Sequence, residues 1–577
     1  MRAASVSSIR RVRPSDPSWP TAASWERLNE QVGGQLIRVS SPLAPCLNAP
    51  TGSASAERIR EMKNPYFIGE QPGGTQTCGW LDAWTSAPSV YAVAVRCTED
   101  VVAAVNFARE NNLRLVVKGG GHSYQGTSNA ADSLLIWTRE MNQITLHDNF
   151  GPDGCTDVRP RQAVTVESGA RWLPTYNEVT TKAGRYVQGG GCATVGVAGL
   201  IQSGGFGSFS KTYGLAAASL LQAEIVTGGG KTLIVNPAKN PDLFWALKGG
   251  GGGSFGVVTK LTLATYELPE FFGRVQGAIK ANSDAAFRDL ISKFIRFYHE
   301  KLFNPYWGES VTFGADNTLS LNMAFQGMKQ SDAAAIWKPF LDSLTAVAND
   351  FSIPQTLNIY AIPARHYWDL EYRKRVLPHT VVVDNRPGAS PENVWWAGNQ
   401  EEVNVFIFGY ESVWLPAALL EQPERLAIAL FGSTRHFKVE LHFNKGLAGA
   451  PEDKITAARD TATNPVVLDA FALALIAGGD LNSIPGLPSH EPDLVAGHKM
   501  AAAVTAATNE LRSIVPKAGA YVSESNYFDY SWQQSFWGPN YPRLKAVKAK
   551  YDPEGLFFVH HGVGCEEWSA DGFVRLS

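Results

Sequence analysis

Residues 118–128 read KGGGHSYQGTS, residues 188–207 read QGGGCATVGVAGLIQSGGFG, and a third cluster, KGGGGGSFG, fills 248–256. The first follows the apolar run LRLVV at 113–117, which has the texture of a strand. Glycines just past a strand let the backbone take positive φ and turn its amides inward, a concavity suited to a pyrophosphate. The same composition also makes plain tight turns. Two familiar nucleotide motifs are absent. A P-loop ending in Gly230-Lys231-Thr232 would need glycine where Ile225 stands, and a dinucleotide fingerprint through Gly205 and Gly207 would need it at Ser210. What sets the clusters apart is what they carry: His122 follows three glycines, and so does Cys192. Neither has a second Cys or His at ligand spacing, so no metal site is expected.

Working outward, a chain of 577 residues suggests about two to four domains. Hydrophobic residues make up 44% and charged residues 18%, enough apolar material for a large core and too much for disorder. The 51 basic and 54 acidic residues leave a net charge of −3 with no basic block, so nucleic-acid binding has no electrostatic footprint. No apolar run approaches the roughly 18 residues of a membrane span. The segment MRAASVSSIRRVRP at 1–14 has charge but no apolar stretch behind it, so no intact signal peptide is read, and a removed one would look the same. The expected compartment is extracellular or periplasmic, and a monomer is expected. Six cysteines are too few for a disulfide scaffold. Cys46 and Cys78, both in loop-like surroundings, are expected to pair in an exported protein and to be free thiols otherwise.

The texture divides the chain. Residues 1–64 read as an irregular lead-in with one helical candidate at 25–32. Residues 65–270 alternate short β-rich runs with helices such as TEDVVAAVNFARE at 98–110, and hold all three glycine clusters. Residues 271–518 lose the clusters; amphipathic helices at 283–301 and 451–463 alternate there with strands at 437–443 and 468–476. Residues 519–577 become aromatic again and end in a helix at 540–550, stopped by Asp552-Pro553. The fold class is α+β: a two-lobed domain with an inserted α+β domain built on an antiparallel sheet.

Taken together, KGGGHSYQGTS, GGGCATVGVAGLIQSGGFGSFSKTYGLAAA and NPDLFWALKGGGGGSFGVVTKLTL resemble the FAD-binding domain of vanillyl-alcohol-oxidase-type flavoproteins, and FWGPNYPRLKAVKAKYDPEGLFF is similar to the closing segment of their berberine-bridge-enzyme branch. The likeness covers 65–268 and 519–560, and is diffuse between them. It implies FAD bound twice covalently, through His122 to the 8α-methyl and through Cys192 to C6. It implies a pyrophosphate held by Gly119, Gly120, Gly121, His122 and Ser123, with Tyr124, Gly126, Thr127 and Ser128 continuing that loop. Gly191, Val195, Gly196, Gly199, Gly204, Gly205, Phe206 and Gly207 would line the ribityl and adenine side, Val258 would lie near the adenine, and Asn540 and Tyr541 would close over the isoalloxazine. Ala218 stands where the group usually has Asp, and Gly229 where an Asp-Gly turn is common.

The resemblance implies alcohol oxidation, in which hydride goes to flavin N5 while a base takes the hydroxyl proton. The stretch AYVSESNYFDY at 520–530 offers Tyr521, Glu524 and Tyr527 as candidates. A tyrosine, with a pKa of about 10, needs a nearby cation. In HFKVELH at 436–442, period two puts His436, Lys438, Glu440 and His442 on one face, and Lys438 could supply the charge. That face is either a cleft wall or the wet side of a sheet. Val195, three residues past the cysteine, occupies the position that gates oxygen in the group, and its small side chain favours an oxidase making H2O2. The expected substrates are a carbohydrate or an aryl or alkyl alcohol, plus O2. A dehydrogenase with another acceptor and a non-catalytic FAD-fold binding protein are the alternatives.

Overall fold

The run at 113–117 becomes the strand Arg114–Lys118 in the computed structural model, which describes residues 9–48, 52–156, 158–347 and 349–576. It pairs in parallel with Ser133–Trp137, which pairs in parallel with Tyr91–Ala94, and Leu36–Arg38 closes the edge antiparallel. The helix Thr98–Glu110 crosses over from Tyr91–Ala94 to Arg114–Lys118, the parallel strands on either side of Ser133–Trp137. Val101, Ala104, Val105 and Ala108 bury one face of this helix, while Glu99 and Asp100 in its first turn and Arg109 in its last complement the helix dipole. A second sheet, mainly antiparallel, runs Thr232–Val235, Leu220–Val226, Val257–Glu267, Arg161–Glu167, Ile144–Phe150. The three glycine clusters lie in the connections around these two sheets.

The third sheet has nine strands. Phe351–Pro363, Phe271–Ala281, Thr318–Gln326, Trp307–Phe313, Val439–His442, Ala470–Asp480 and Val405–Pro416 follow one another antiparallel. Leu319, Leu321 and Met323 alternate inward on one strand, the period-two pattern of a sheet with one covered face. The helix Asp284–Phe297 covers that face with Phe287, Leu290, Ile291, Phe294 and Ile295, and starts where Ser283 accepts the amide hydrogen of Ala286. Helices Gln330–Thr345, Pro423–Thr434 and Leu494–Ile514 pack into the same core.

Buried lysines tie the parts together. Lys211, fully enclosed, donates to the carbonyls of Phe443, Gly446 and Phe471, fastening the segment after the second glycine cluster to the large sheet. Lys548, on the helix Tyr541–Tyr551, donates to Ser254 O, Phe557 O and Asp552, so the C-terminal segment returns to the third cluster. Each ammonium is saturated by oxygen acceptors, the condition under which a buried charge is tolerated.

Two boundaries depart from the sequence expectation. Residues 1–64 are more than an irregular lead-in: they hold helices Ala22–Gln31, Ala44–Asn48 and Ser53–Glu61, and the edge strand Leu36–Arg38. Trp25 and Leu28 pack into the core of the first sheet. Thr77–Trp80 pairs in parallel with Val405–Pro416 and extends the large sheet, although it precedes the first glycine cluster. Non-local pairing of this kind leaves no trace in a four-residue strand. Of the two readings for Cys46 and Cys78, a bridge in an exported protein or free thiols, the structure shows the second. Both are buried free thiols, Cys46 against Ser55 O and Cys78 against Asn404 O and Ser483 O.

Candidate active site

The strand Arg114–Lys118 delivers the chain to Gly119–Gly121, at the rim of a cavity of about 1180 Å³ between the glycine clusters and the large sheet. Gly120 is required by close approach: a Cβ there would sit 2.7 Å from Gly196 N, so the first two clusters touch backbone to backbone. Gly191, Gly199 and Gly252 show the opposite. A Cβ on any of them would meet no atom within 4 Å, and all three border the cavity, so side chains there would fill it. Gln125, Ser168, Asn399, Asn444 and His561 also border it, each with a buried polar side-chain atom lacking a hydrogen-bond partner. A long cavity with open glycine walls and unmet polar atoms fits a large polar ligand such as FAD.

Inside it, an imidazole nitrogen of His122, the Sγ of Cys192 and a carboxylate oxygen of Glu402 lie within 4.8 Å of one another. Local spacing revealed no neighbour for either His122 or Cys192; the fold supplies them to each other and adds a third donor. His122 Nε2 is 3.0 Å from Thr194 Oγ1, leaving Nδ1 as the nitrogen available for a new bond. Burial, and then Arg171, lower the imidazole to about 4, so it is neutral near pH 7. Burial, and then the Glu402 carboxylate, push the Cys192 thiol up to about 12. Burial, and then Glu524, raise Glu402 to about 7.

Glu402 ends the short helical turn Ala397–Glu402, just before the strand Val405–Pro416, and Asn399 Nδ2 donates to it at 3.3 Å. Glu524 is held by Lys445 Nζ at 2.5 and 2.6 Å. Glu440 accepts from Ser310 at 2.6 Å; burial alone would raise it, but His442, Ser310 and Lys445 bring it down to about 2. Tyr124 and Tyr410 pack at 4.8 Å between ring centres on the same wall. The 520–530 stretch is fixed to the first cluster by Gln125 Nε2, which donates to Ser525 O at 2.8 Å.

The remaining expected residues divide. Gly119, Gly121, Ser123, Tyr124, Thr127 and Ser128 line the cavity, as do Val195, Gly196, Phe206 and Val258. Gly126, Gly204, Gly205 and Gly207 do not. A Cβ on them would strike Trp84, Thr463, Leu200 and Gly189 O respectively, so these glycines serve packing. Among the base candidates, Tyr521, Glu524 and Lys438 border the cavity, while Tyr527 lies outside its wall, stacked at 3.7 Å on His560. Burial, and then Glu524, raise the Tyr521 phenol, which makes it a poor proton acceptor at neutral pH. Of the polar strand face, Lys438, Glu440 and His442 face the cavity and His436 does not, lying instead 3.5 Å from Glu510. Asn540 and Tyr541 are also outside the wall. Asn540 donates to Thr463 O at 2.8 Å and Tyr541 to Glu566 at 2.7 Å. Glu402, Tyr410 and Lys445 were not among the sequence candidates. Only the acidic pair Glu401-Glu402 before an apolar strand hinted at one of them.

An FAD-binding-domain family matches residues 89–236, and the berberine and berberine-like family matches residues 509–564. An uncharacterised FAD-linked oxidoreductase of Arthroderma benhamiae is 29% identical, over 98% of this chain and 95% of its own. A VAO-type flavoprotein oxidase of Thermothelomyces thermophilus is 27% identical over 98% and 95%. Among solved structures, a VAO-type flavoprotein from Myceliophthora thermophila superposes with a TM-score of 0.78 at 24% identity, covering 98% of this chain and 99% of that one. Glucooligosaccharide oxidase from Acremonium strictum superposes at 0.61 and 20% identity, over 85% and 94%. The chain thus carries an FAD-binding domain and a berberine-like C-terminal segment, in order, on the fold it shares with VAO-type flavoproteins, and is an FAD-dependent oxidoreductase.

Proposed function

We propose that the protein is an oxidase that takes hydride from an alcohol or anomeric hydroxyl and passes the electrons to O2 as H2O2, with FAD attached through both His122 and Cys192. The observation that carries this reading is the convergence of His122, Cys192 and Glu402 within 4.8 Å on the cavity wall. Two nucleophilic side chains that close suit two attachment points on one edge of one ring system. Two of the similar structures are a chitooligosaccharide oxidase and a glucooligosaccharide oxidase, the latter described with a 6-S-cysteinyl, 8α-N1-histidyl FAD.

When bound, FAD supplies the hydride acceptor. The protein's part is position and proton transfer. Glu402 is our candidate for the base. Its carboxyl titrates near 7, where a general base is most effective, and it sits beside the anchoring cysteine. Glu524, paired with Lys445, raises Glu402; it tunes the base. Tyr124 and Tyr410 present aromatic faces to a ring-shaped substrate. Val195 borders the same cavity, and its small side chain leaves O2 a path.

Acid precipitation tests the attachment and peroxide release tests the acceptor. The expected result is a yellow pellet, with H2O2 formed from a sugar or aryl alcohol in air. A colourless pellet over yellow supernatant would remove the covalent reading, and turnover only with an artificial acceptor would make the protein a dehydrogenase.

A further inference from the structure

The cavity has a second polar region, built from the strands Phe271–Ala281 and Phe351–Pro363 and the helix Leu370–Val376. Arg373 is its centre. Its residue surface is 5% exposed, yet no carboxylate lies within ion-pair distance among the described residues. Its Nε donates to Tyr367 O at 2.7 Å, its Nη1 reaches Thr380 Oγ1 at 3.5 Å, and the Tyr360 phenol is a further neutral contact. The rings of Tyr367 and Trp396 lie 4.7 and 5.1 Å from the guanidinium carbon. Two other buried or half-buried arginines are settled differently: Arg386 is paired with Asp384 and Glu70, and Arg11 donates to three carbonyls outside this cavity's wall.

Arg274 stands nearby, bonded to the Tyr367 hydroxyl at 2.8 Å and to Asn322 at 2.9 Å, with Glu309 at 3.9 Å. Glu309 offsets Arg274, so this region keeps one uncompensated positive charge. Its place relative to the chemistry follows from Trp396, whose Nε1 donates to Gly191 O at 2.8 Å. Arg373 is therefore one aromatic ring away from the loop that carries Cys192.

A buried charge without a counter-ion is costly unless a ligand completes it. We propose that Arg373 is an anion subsite, and that the alcohol oxidised in this cavity carries a carboxylate. A planar guanidinium presents parallel N–H donors to a planar carboxylate. One net positive charge matches a monoanion, where a phosphate dianion would need a second. The proposal rests on the cavity being the alcohol site.

The test uses the flavin-loaded enzyme under argon and reads apparent dissociation constants from the concentration dependence of the flavin absorbance change, as the saturation of the reduction rate for an alcohol that reacts and as the spectral shift for one that does not. Two matched pairs are titrated: 4-(hydroxymethyl)benzoate against its primary amide, and methyl glucuronoside against methyl glucoside. In the wild type, at least one acid binds about ten- to a hundredfold tighter than its neutral partner, the worth of a charge-assisted bond in a closed site. In Arg373→Met the ratio falls to near one, and Arg373→Lys keeps part of it. Equal binding within both pairs, or a preference that survives in Arg373→Met, overturns the subsite. Loss of FAD from Arg373→Met would assign the charge to the cofactor's phosphates and overturn it equally. If acids are preferred but no alcohol is oxidised, the oxidase reading fails and the subsite stands.

Discussion

The two walls of the cavity are built on different principles. On one, the loops around Gly120, Gly191 and Gly196 shape space with bare backbone, and the glycines that do so sit within three short stretches. On the other, charge is assembled from Arg274, Arg373, Glu402, Glu440, Lys445 and Glu524, spread over some 250 positions and joined only by the nine-stranded sheet and its flanking loops. A wall of backbone tolerates no added atom where chains touch. A wall of side chains tolerates replacement sterically but not electrostatically.

The largest effect expected from breaking this contrast is on the charged wall. Glu402→Gln removes the base and should cut kcat/KM by about a hundred- to ten-thousandfold. Flavin content, read from absorbance, should stay near wild type. A variant within threefold of wild type would discard Glu402 as the base.

On the backbone wall, Gly120→Ala drives a methyl group to 2.7 Å from Gly196 N. Overpacking of that kind costs about 1–3 kcal/mol. The expected outcome is a lowered Tm with reduced flavin loading, whereas Gly229→Ala, with nothing within 4 Å, should leave both unchanged.

A subtler perturbation sharpens the electrostatic side. Glu402 acts when ionised, so kcat/KM should rise with pH and level off above about 7. Glu524 raises that carboxyl and Lys445 lowers it. The inflection should therefore move to lower pH in Glu524→Gln and to higher pH in Lys445→Met, read from steady-state profiles. Shifts in the same direction for both would mean that the carboxylate wall does not set the pH dependence.

The smallest effect concerns Asn540, which the sequence likeness put over the flavin and the structure puts outside the cavity wall. Asn540→Ala loses one hydrogen bond to Thr463 O, about 1 kcal/mol. The flavin spectrum and kcat should not move. A changed spectrum would return Asn540 to the site.

What could be read from the chain alone follows the same division. The helix Thr98–Glu110, the strand after it and the glycine clusters are local in sequence, and their periodicity and φ requirements act within a few residues. His122 and Cys192 stood out as candidates because each is presented by a local triple glycine. Glu524 and Lys438 were found as members of short polar runs, but nothing in those runs said which would be held by Lys445 and which would face open space. Tyr527 and Asn540 lie outside the cavity wall, a placement the motifs did not specify, because a motif records order along the chain and not the direction of a side chain.

By itself, then, the sequence determined the α+β class, the flavin-binding lobe and the two candidate anchoring residues, because backbone conformation and hydrophobic period are set by near neighbours. The tertiary structure alone decided the rest. It added Thr77–Trp80 to the far sheet, left Cys46 and Cys78 unpaired, and brought Glu402 to Cys192 and Arg373 to the Gly191 loop. Pairing across hundreds of residues and the burial that moves a carboxyl to neutrality are properties of the packed whole, since both depend on what water has been excluded from.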